Sequence, residues 1–402
     1  MSPLPPTRRA LLGSALVLGA AASLPRAGRA QGGGPIRVAA LVPLTGAGGP
    51  YGPGMAKVAK AVVDQVNAAG GVLGRQVELI VADDQTSPDA AVRAARQLID
   101  VNKVSAIIGT WASSVTTAVA PLCWENKVFL TTTSGAESIT QLPTQGFLIR
   151  TQPTTTLQGT KFGQFAVEQG AKKVFFLSPQ TPFYQSEHDA IAAVVKAAGG
   201  ETGTLVYDDQ KPSYRSETDT LLRFAPDAVI LGGYTPDTTV VLKDLFRAGY
   251  KGAKIGFAYA INQKLIDSVP APVVEGCYTL APSAAEGSGA YDALVKLSGL
   301  ANPDPYAAQV YDQTNLVLLA MAQAGDSSCT AIRDTIRKVS QAPGGEVVET
   351  APDGLRAIAA GKPIAYQGAS GPCKFTDRGD IVDSKFRYEQ VKGGKITLLR
   401  IA

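Results

Sequence analysis

The feature that most constrains this chain is a repeated alternation of short apolar, β-branched runs with longer stretches of helical spacing. Residues 36–44 read IRVAALVPL, a run without polar alternation that predicts a buried parallel strand, and it stops at TGAGGPYGPG, a turn dense in Gly and Pro. MAKVAKAVVDQVNAAGG follows, with Val58, Ala61, Val62, Gln65 and Val66 on one helical face and Gly70 and Gly71 ending it. The unit recurs as strand QVELIVADD (76–84), a helix opened by Ser87 with Pro88 in its first turn, strand VSAIIGT, a helix from about Ser113, and strand VFLTTT. Such alternation predicts βαβ units and a doubly wound parallel sheet.

After FLIRTQPT (147–154) the alternation starts afresh. A helix over 155–169, strand KKVFFLSP, a helix over 185–198, strands GTLVYDD and DAVILGGY, a helix over 236–248 and strand AKIGFAY predict a second α/β lobe. EGCYTLAPSA (275–284) crosses back, helical stretches follow near 290–298, 305–324 and 328–340, and the terminal CKFTDRGDIVDSKFRYEQVKGGKITLLRIA alternates like a hairpin returning to the second lobe. The expected fold class is α/β, with two doubly wound Rossmann-like lobes joined by a multi-crossing hinge. The first lobe is expected over 35–151 plus 282–370 and the second over 152–281 plus 371–402, with hinges near 150–154, 277–282 and 368–376. Two lobes also suit a chain longer than one hydrophobic core commonly serves.

Residues 1–30 stand apart. Arg8 and Arg9 precede an apolar run from Ala10 to Leu24, and small residues ending AGRA precede Gln31, the layout of a twin-arginine export signal. The run is shorter than a membrane span and rich in Gly and Ala. A periplasmic protein is therefore expected. Removing the leader takes away four arginines and no acid, leaving 34 basic against 34 acidic residues. With neutral charge and no basic stripe carrying interleaved aromatics, nucleic-acid binding is not expected. Cys123, Cys277, Cys329 and Cys373 lie far apart without C-x-x-C spacing, which argues against structural zinc. The single histidine, His188, argues against a histidine metal centre or a Ser/His pair.

In open α/β sheets ligands gather outside the carboxyl ends of the strands, where helix N-termini converge. Three such ends here are rich in hydroxyls and glycine: TGAGGPYG, GTWASS and TTTSGAES. Backbone N–H groups and hydroxyls at these places suit a polar or anionic group. A nucleophile does not fit, because the G-x-S-x-G elbow is missing and His188 is expected in the other lobe. A phosphate loop does not fit either, since GAGGPYGPG lacks the Walker lysine and its prolines break the dinucleotide fingerprint. Ser113 is equally suited to capping its helix or to touching a ligand. Asp83 and Asp84 read as a solvated turn, and His188 as a surface residue without a role. Tyr51, Trp111, Tyr184, Tyr234 and Tyr259 follow strand ends and together describe an aromatic-lined cleft.

The order of these segments resembles the leucine/isoleucine/valine-binding proteins, the periplasmic receptors of ABC importers with a type I binding fold. The likeness runs from VPLTGAGGPYGPGMAKVAKAVVDQVNAAGGVLGRQVELIVADDQTSPDAAVRAARQLI through AIIGTWASSVTTAVAPLCWENKVFLTTTSGAESIT, VILGGYTPDTTVVLKDLFRAGY, VVEGCYTLAP and GASGPCKFTDRGD. It implies a monomeric two-lobe receptor without cofactor, which closes on a small amino acid, carboxylate or amide and is read by a membrane permease. The sensory modules of the same fold are the rival. By the resemblance, the ligand carboxylate is received by Ser113, with Ser134 and Gly135 completing the seat. Tyr51 is the aromatic of the first loop, Tyr234 the second-lobe tyrosine, and a further tyrosine position falls on Phe183 or Tyr184.

One departure concerns the ligand's other end. The acid that holds the ligand ammonium in amino-acid binders falls on Ala258, which has no carboxylate. Either Asp237 or another acid substitutes, or the ligand lacks an α-ammonium, because an ammonium buried without counter-charge is costly. The family's first-lobe disulfide is also missing, its positions reading Thr86 and Ala112, and Cys329 with Cys373 is the replacement bridge this resemblance suggests.

Overall fold

The computed structural model describes residues 33–300 and 303–402; the leader expected over residues 1–30 lies outside them. The chain opens with β1 (Ile36–Val42), α1 (Gly52–Ala68), β2 (Val77–Asp83), α2 (Pro88–Arg96), β3 (Ala106–Gly109), α3 (Ser113–Glu125), β4 (Phe129–Thr132) and β5 (Leu148–Arg150). These five strands form one parallel sheet in the order β2-β1-β3-β4-β5. Every residue of β1 except Arg37 is buried, as expected for a strand covered by helices on both faces. Ser87 caps α2 by accepting from Ala90 N–H, with Pro88 at its first position.

The chain then runs through α4 (Thr155–Glu168), β6 (Lys173–Pro179), α5 (Tyr184–Ala197), β7 (Glu201–Tyr207), α6 (Arg215–Phe224), β8 (Ala228–Leu231), α7 (Thr235–Arg247), β9 (Ala253–Phe257), the short α8 (Gln263–Asp267) and α9 (Ala271–Val274), and β10 (Tyr278–Pro282). It returns through α10 (Gly289–Ser298), α11 (Pro305–Ala324), α12 (Cys329–Thr335), α13 (Lys338–Gln341), β11 (Glu346–Val348), α14 (Ala351–Ala359) and β12 (Ile364–Tyr366), and ends in β13 (Phe386–Lys392) and β14 (Lys395–Ile401). The second sheet has the order β14-β13-β10-β9-β8-β6-β7, parallel from β7 to β10 with the antiparallel β13–β14 hairpin on one edge.

Helix α11 is what closes the first core. It is buried from Tyr306 to Met321, capped by Asp304 at its start and stopped by left-handed Gly325. Its polar face is used internally. The Gln313 Oε1 accepts from Gly109 N–H at 3.0 Å and Thr131 Oγ1 at 2.8 Å, and its Nε2 donates to Thr151 Oγ1 at 2.8 Å, tying together the ends of β3, β4 and β5.

Three expectations are corrected. The helix expected near 328–340 is two pieces, α12 and α13. The tail from 371 was expected in the second lobe, yet Cys373, Phe375 and Ile381 pack into the core of the first sheet, and Arg150 N–H donates to Gly379 O; only from Phe386 does the chain pair with β10. The Cys329–Cys373 bridge is not formed, because all four cysteines are free thiols. Cys373 is buried beside Asp312 and Ser370, whereas Cys329 opens α12 in the neighbourhood of Cys123.

Candidate ligand-binding site

At the carboxyl ends of the two sheets lies a cavity with about 400 Å³ of space free of protein atoms, part of it continuous with solvent. Its lining contains six of the nominated residues: Trp111, Ser113, Gly135, Phe183, Tyr234 and Tyr259.

The polar wall comes from the first sheet. Helix α3 starts at Ser113 after an extended Ala112, and no side chain caps it. Ser113 is thus not the helix cap; its Oγ accepts from Ala136 N–H at 3.2 Å while the residue borders the cavity. The uncapped first turn leaves N–H groups and partial positive charge at this end of the cavity. Ser134 sits one layer behind. Its Oγ donates to Trp111 O at 2.9 Å and shares a hydrogen bond with Thr116, holding the turn rather than lining the cavity.

Gly135 is held from two sides. Its carbonyl accepts from Thr155 N–H and from the Arg150 guanidinium, each at 2.9 Å, and Arg150 also donates to Ala136 O and pairs with Asp380. Arg150 is fully buried, and the loss of hydration acts to lower its affinity for the proton while Asp380 acts to raise it. A Cβ on residue 135 would lie 2.6 Å from Gln158 Nε2, so any larger residue there would push that amide aside. Gln158 donates to Pro153 O and accepts from Gln152, which in turn accepts from Gln309 on α11.

The opposite wall is aromatic. Trp111 stands against Tyr234 at 5.5 Å and Tyr259 at 5.7 Å between ring centroids, and Tyr259 stacks on Phe257 at 4.8 Å. Tyr306, at the start of α11, meets Trp111 edge to face at 5.7 Å. Burial pushes the Tyr234 hydroxyl up to about 12 and raises those of Tyr259 and Tyr306 as well, so these rings are neutral hydrogen-bond donors. Tyr51 is behind Trp111, stacked on it at 5.8 Å, and its hydroxyl donates to Ala258 O at 3.3 Å. That bond joins the first loop to the β9 end, so the two sheets' ends are drawn together around the cavity.

Of the pair offered by the sequence, Phe183 borders the cavity and Tyr184 does not: Tyr184 stacks on Phe176 and His188, and its hydroxyl bonds Thr204. Asp237 is not the missing counter-charge. It accepts from Gln210 N–H and the Tyr214 hydroxyl, both at 2.9 Å, and is absent from the lining. No aspartate or glutamate lines the cavity among the described residues. The solvated-turn reading holds only in part: Asp83 accepts from Thr45 and Gln85, whereas Asp84 is buried, and burial outweighs its bond from Thr86 N–H to push it up to about 6.

Sequence reasoning missed Gln152, Thr155, Gln158, Phe257 and Tyr306. The polar run TQPTTTLQG, which directly follows β5, and the Asp-Pro-Tyr start of α11, which follows no strand, carried a signal.

An uncapped helix start, hydroxyls and amides on one wall and rings on the other, with no nucleophile–base pair among them, define a receptor for a small ligand. The chain belongs to the Periplasmic binding protein family, which it matches over residues 35–371. It is similar to the chemotactic signal transduction system substrate-binding protein BasB of Halobacterium salinarum, with 26% identity across 86% of this chain and 84% of that one. In fold it is similar to a leucine binding protein, LivK, from Thermotoga maritima, with TM-score 0.78, 23% identity and coverage of 91% and 98% of the two chains. A solute binding protein of an ABC transporter from R. palustris, in complex with benzoate, superposes with TM-score 0.73, 20% identity and coverage of 92% and 96%. The chain is a binding protein and not an enzyme, and no helix of the described residues is long and apolar enough to cross a membrane.

Proposed function

We propose that this protein is the substrate-binding component of an ABC importer, capturing a small carboxylate, and an aromatic carboxylate in particular, for delivery to a membrane permease. The observation that carries this reading is the pairing of an uncapped α3 N-terminus beside Ser113 with a cavity walled by Trp111, Tyr234, Phe257, Tyr259 and Tyr306. An anion at the helix start gains charge-assisted hydrogen bonds, and the rings bury an apolar body. The lining offers no carboxylate to an α-ammonium, which weighs against an amino acid. The benzoate complex of a protein with this fold is in keeping with such a ligand.

Export by the twin-arginine route with removal of residues 1–30, a monomeric state, and closure of two lobes by bending where the chain crosses between them, near 150–154, after Pro282 and between Ile381 and Phe386, belong to the same proposal. Titration calorimetry with benzoate and leucine tests it: benzoate is expected to bind at about micromolar affinity, and tight leucine binding with no benzoate binding would sink the aromatic-carboxylate reading.

The likeness to a chemotaxis substrate-binding protein favours a second reading, a ligand-sensing module. Stimulation of a reconstituted permease by the loaded protein supports the first reading; stimulation of a signalling receptor in its place supports the second.

A further inference from the structure

Three glutamine side chains run in line from the first core to the cavity. Gln309 Nε2, on α11, donates to Gln152 Oε1 at 2.6 Å; Gln152 Nε2 donates to Gln158 Oε1 at 3.3 Å; and Gln158 Nε2, on α4, donates to Pro153 O at 2.8 Å. All three are buried, and Gln152 and Gln158 border the cavity. The direction of the chain is set at its last link. A backbone carbonyl only accepts, so the nitrogen of Gln158 faces Pro153; its oxygen then takes a donor from Gln152, and the oxygen of Gln152 takes one from Gln309. The cost of this polarity falls at the inner end, where Gln309 Oε1 is buried without a partner.

The surplus donors fall at the cavity. An amide nitrogen carries two hydrogens, and Gln152 and Gln158 each use one within the chain; among the described residues neither nitrogen has a second acceptor. Gln158 Nε2 also lies against Gly135, 2.6 Å from where a Cβ would stand. The next residue, Ala136, is the one whose N–H bonds Ser113 Oγ. Gln158 and Ser113 therefore flank the same two residues. One comes from α4, which packs in the core of the second lobe, and the other from α3 of the first. Donors on both sides suit a group that only accepts. An ionised carboxylate presents two acceptor oxygens, whereas a primary amide presents one oxygen and one NH2.

We propose that the spare amide N–H groups of Gln158 and Gln152 receive the second oxygen of the ligand carboxylate, the first being held at Ser113, so that the glutamine chain selects an ionised acid over its uncharged amide. This rests on the reading of the cavity as a carboxylate site. One carboxylate then bridges a helix of each lobe, and its binding favours the closed arrangement.

Calorimetry with benzoate and benzamide, two ligands of nearly the same shape, tests this on the wild type and on Gln158→Leu and Gln158→Glu. The wild type is expected to prefer benzoate by about tenfold or more. Gln158→Leu should weaken benzoate by about tenfold or more and benzamide by about threefold or less. Gln158→Glu keeps the size of the side chain. Buried as an acid, it gives its one O–H to Pro153 O and has no donor left for the ligand. Benzamide, which supplies its own N–H, should bind this variant at least as well as it binds the wild type, while benzoate falls by about a hundredfold, so the preference reverses. Equal losses of both ligands in Gln158→Leu mean that the side chain only packs, and overturn the proposal. A glutamate variant that still prefers benzoate overturns it as well, and this variant decides alone if the leucine variant does not fold. A wild type that binds neither ligand brings down the reading of the cavity; benzoate binding that depends on Ser113 but not on Gln158 overturns the glutamine assignment alone.

Discussion

The two walls of the cavity are built on different principles. The first-lobe wall is a hydrogen-bonded frame: Ser113, Ser134, Gly135 and Arg150 each have partners set by the backbone, and Gln313 ties three strand ends together. The second-lobe wall is made of rings meeting at 4.8 to 5.8 Å. A preorganised polar frame fixes what kind of group binds at one end, because misplaced donors cannot re-form elsewhere. A stack of rings fixes size and shape and leaves room for variation. One end of the ligand is thus determined more sharply than the other.

Removing the residue that joins the walls should have the largest effect. Trp111→Ala deletes contacts to Tyr51, Tyr234, Tyr259 and Tyr306 at once, and is expected to cost about 3–5 kcal/mol in stability by denaturant unfolding. Ligand affinity should fall by about a hundredfold or more. Arg150→Met breaks the frame alone. It strands Asp380 and the carbonyl of Ala136 and takes one of two donors from the carbonyl of Gly135, and should cost roughly 3 kcal/mol or more; a loss under about 1 kcal/mol would mean that the frame does not depend on the guanidinium.

Burial raises the proton affinity of acids in both lobes, Glu187 and Asp237 among them in the second. Burial, acting against hydrogen bonds that favour the ion, pushes Asp84, Asp304 and Asp312 up to about 6, and all three belong to the first lobe. Such groups hold their protons more tightly when folded than when unfolded, so stability falls as pH rises from about 4 through about 6. Unfolding at a series of pH values should therefore show the protein more stable near pH 5 than near pH 7.5, by on the order of 4 kcal/mol. The opposite slope would mean that these carboxyls are ionised in the native protein.

Smaller effects probe single positions. Ser113→Ala should weaken a carboxylate ligand by about 1–2 kcal/mol, while an uncharged ligand of the same shape would lose little. Tyr184→Ala should leave affinity within about twofold, whereas Phe183→Ala should not; equal losses in both would restore Tyr184 to the site.

Much of the fold was legible because periodicity reports burial locally. β1, α1 and α3 fall where the apolar runs, the Gly-Pro turn and the hydroxyl-rich strand end put them. Ser113 and Gly135, nominated as ligand residues by the family resemblance rather than by spacing, border the cavity. The aromatics were harder. Tyr51, Tyr184, Tyr234 and Tyr259 all follow strand ends, yet Tyr184 turns to Phe176 and His188 because its helix starts one residue later than Phe183. Asp83 and Asp84 are adjacent in sequence, the first half-buried and the second fully buried, a difference that alternation along an extended strand end produces and composition does not show.

By itself the sequence determined the architecture class and the positions of the strand-end turns, because each depends on residues close together in the chain. The tertiary structure alone decided which side chains meet across the cavity. Tyr51 reaches Ala258, Arg150 reaches Asp380, Trp111 faces Tyr306, and Gln309 reaches Gln152. Those pairings join segments separated by long stretches of chain, and their cost or benefit is set by the desolvation of groups that only the packed lobes exclude from water.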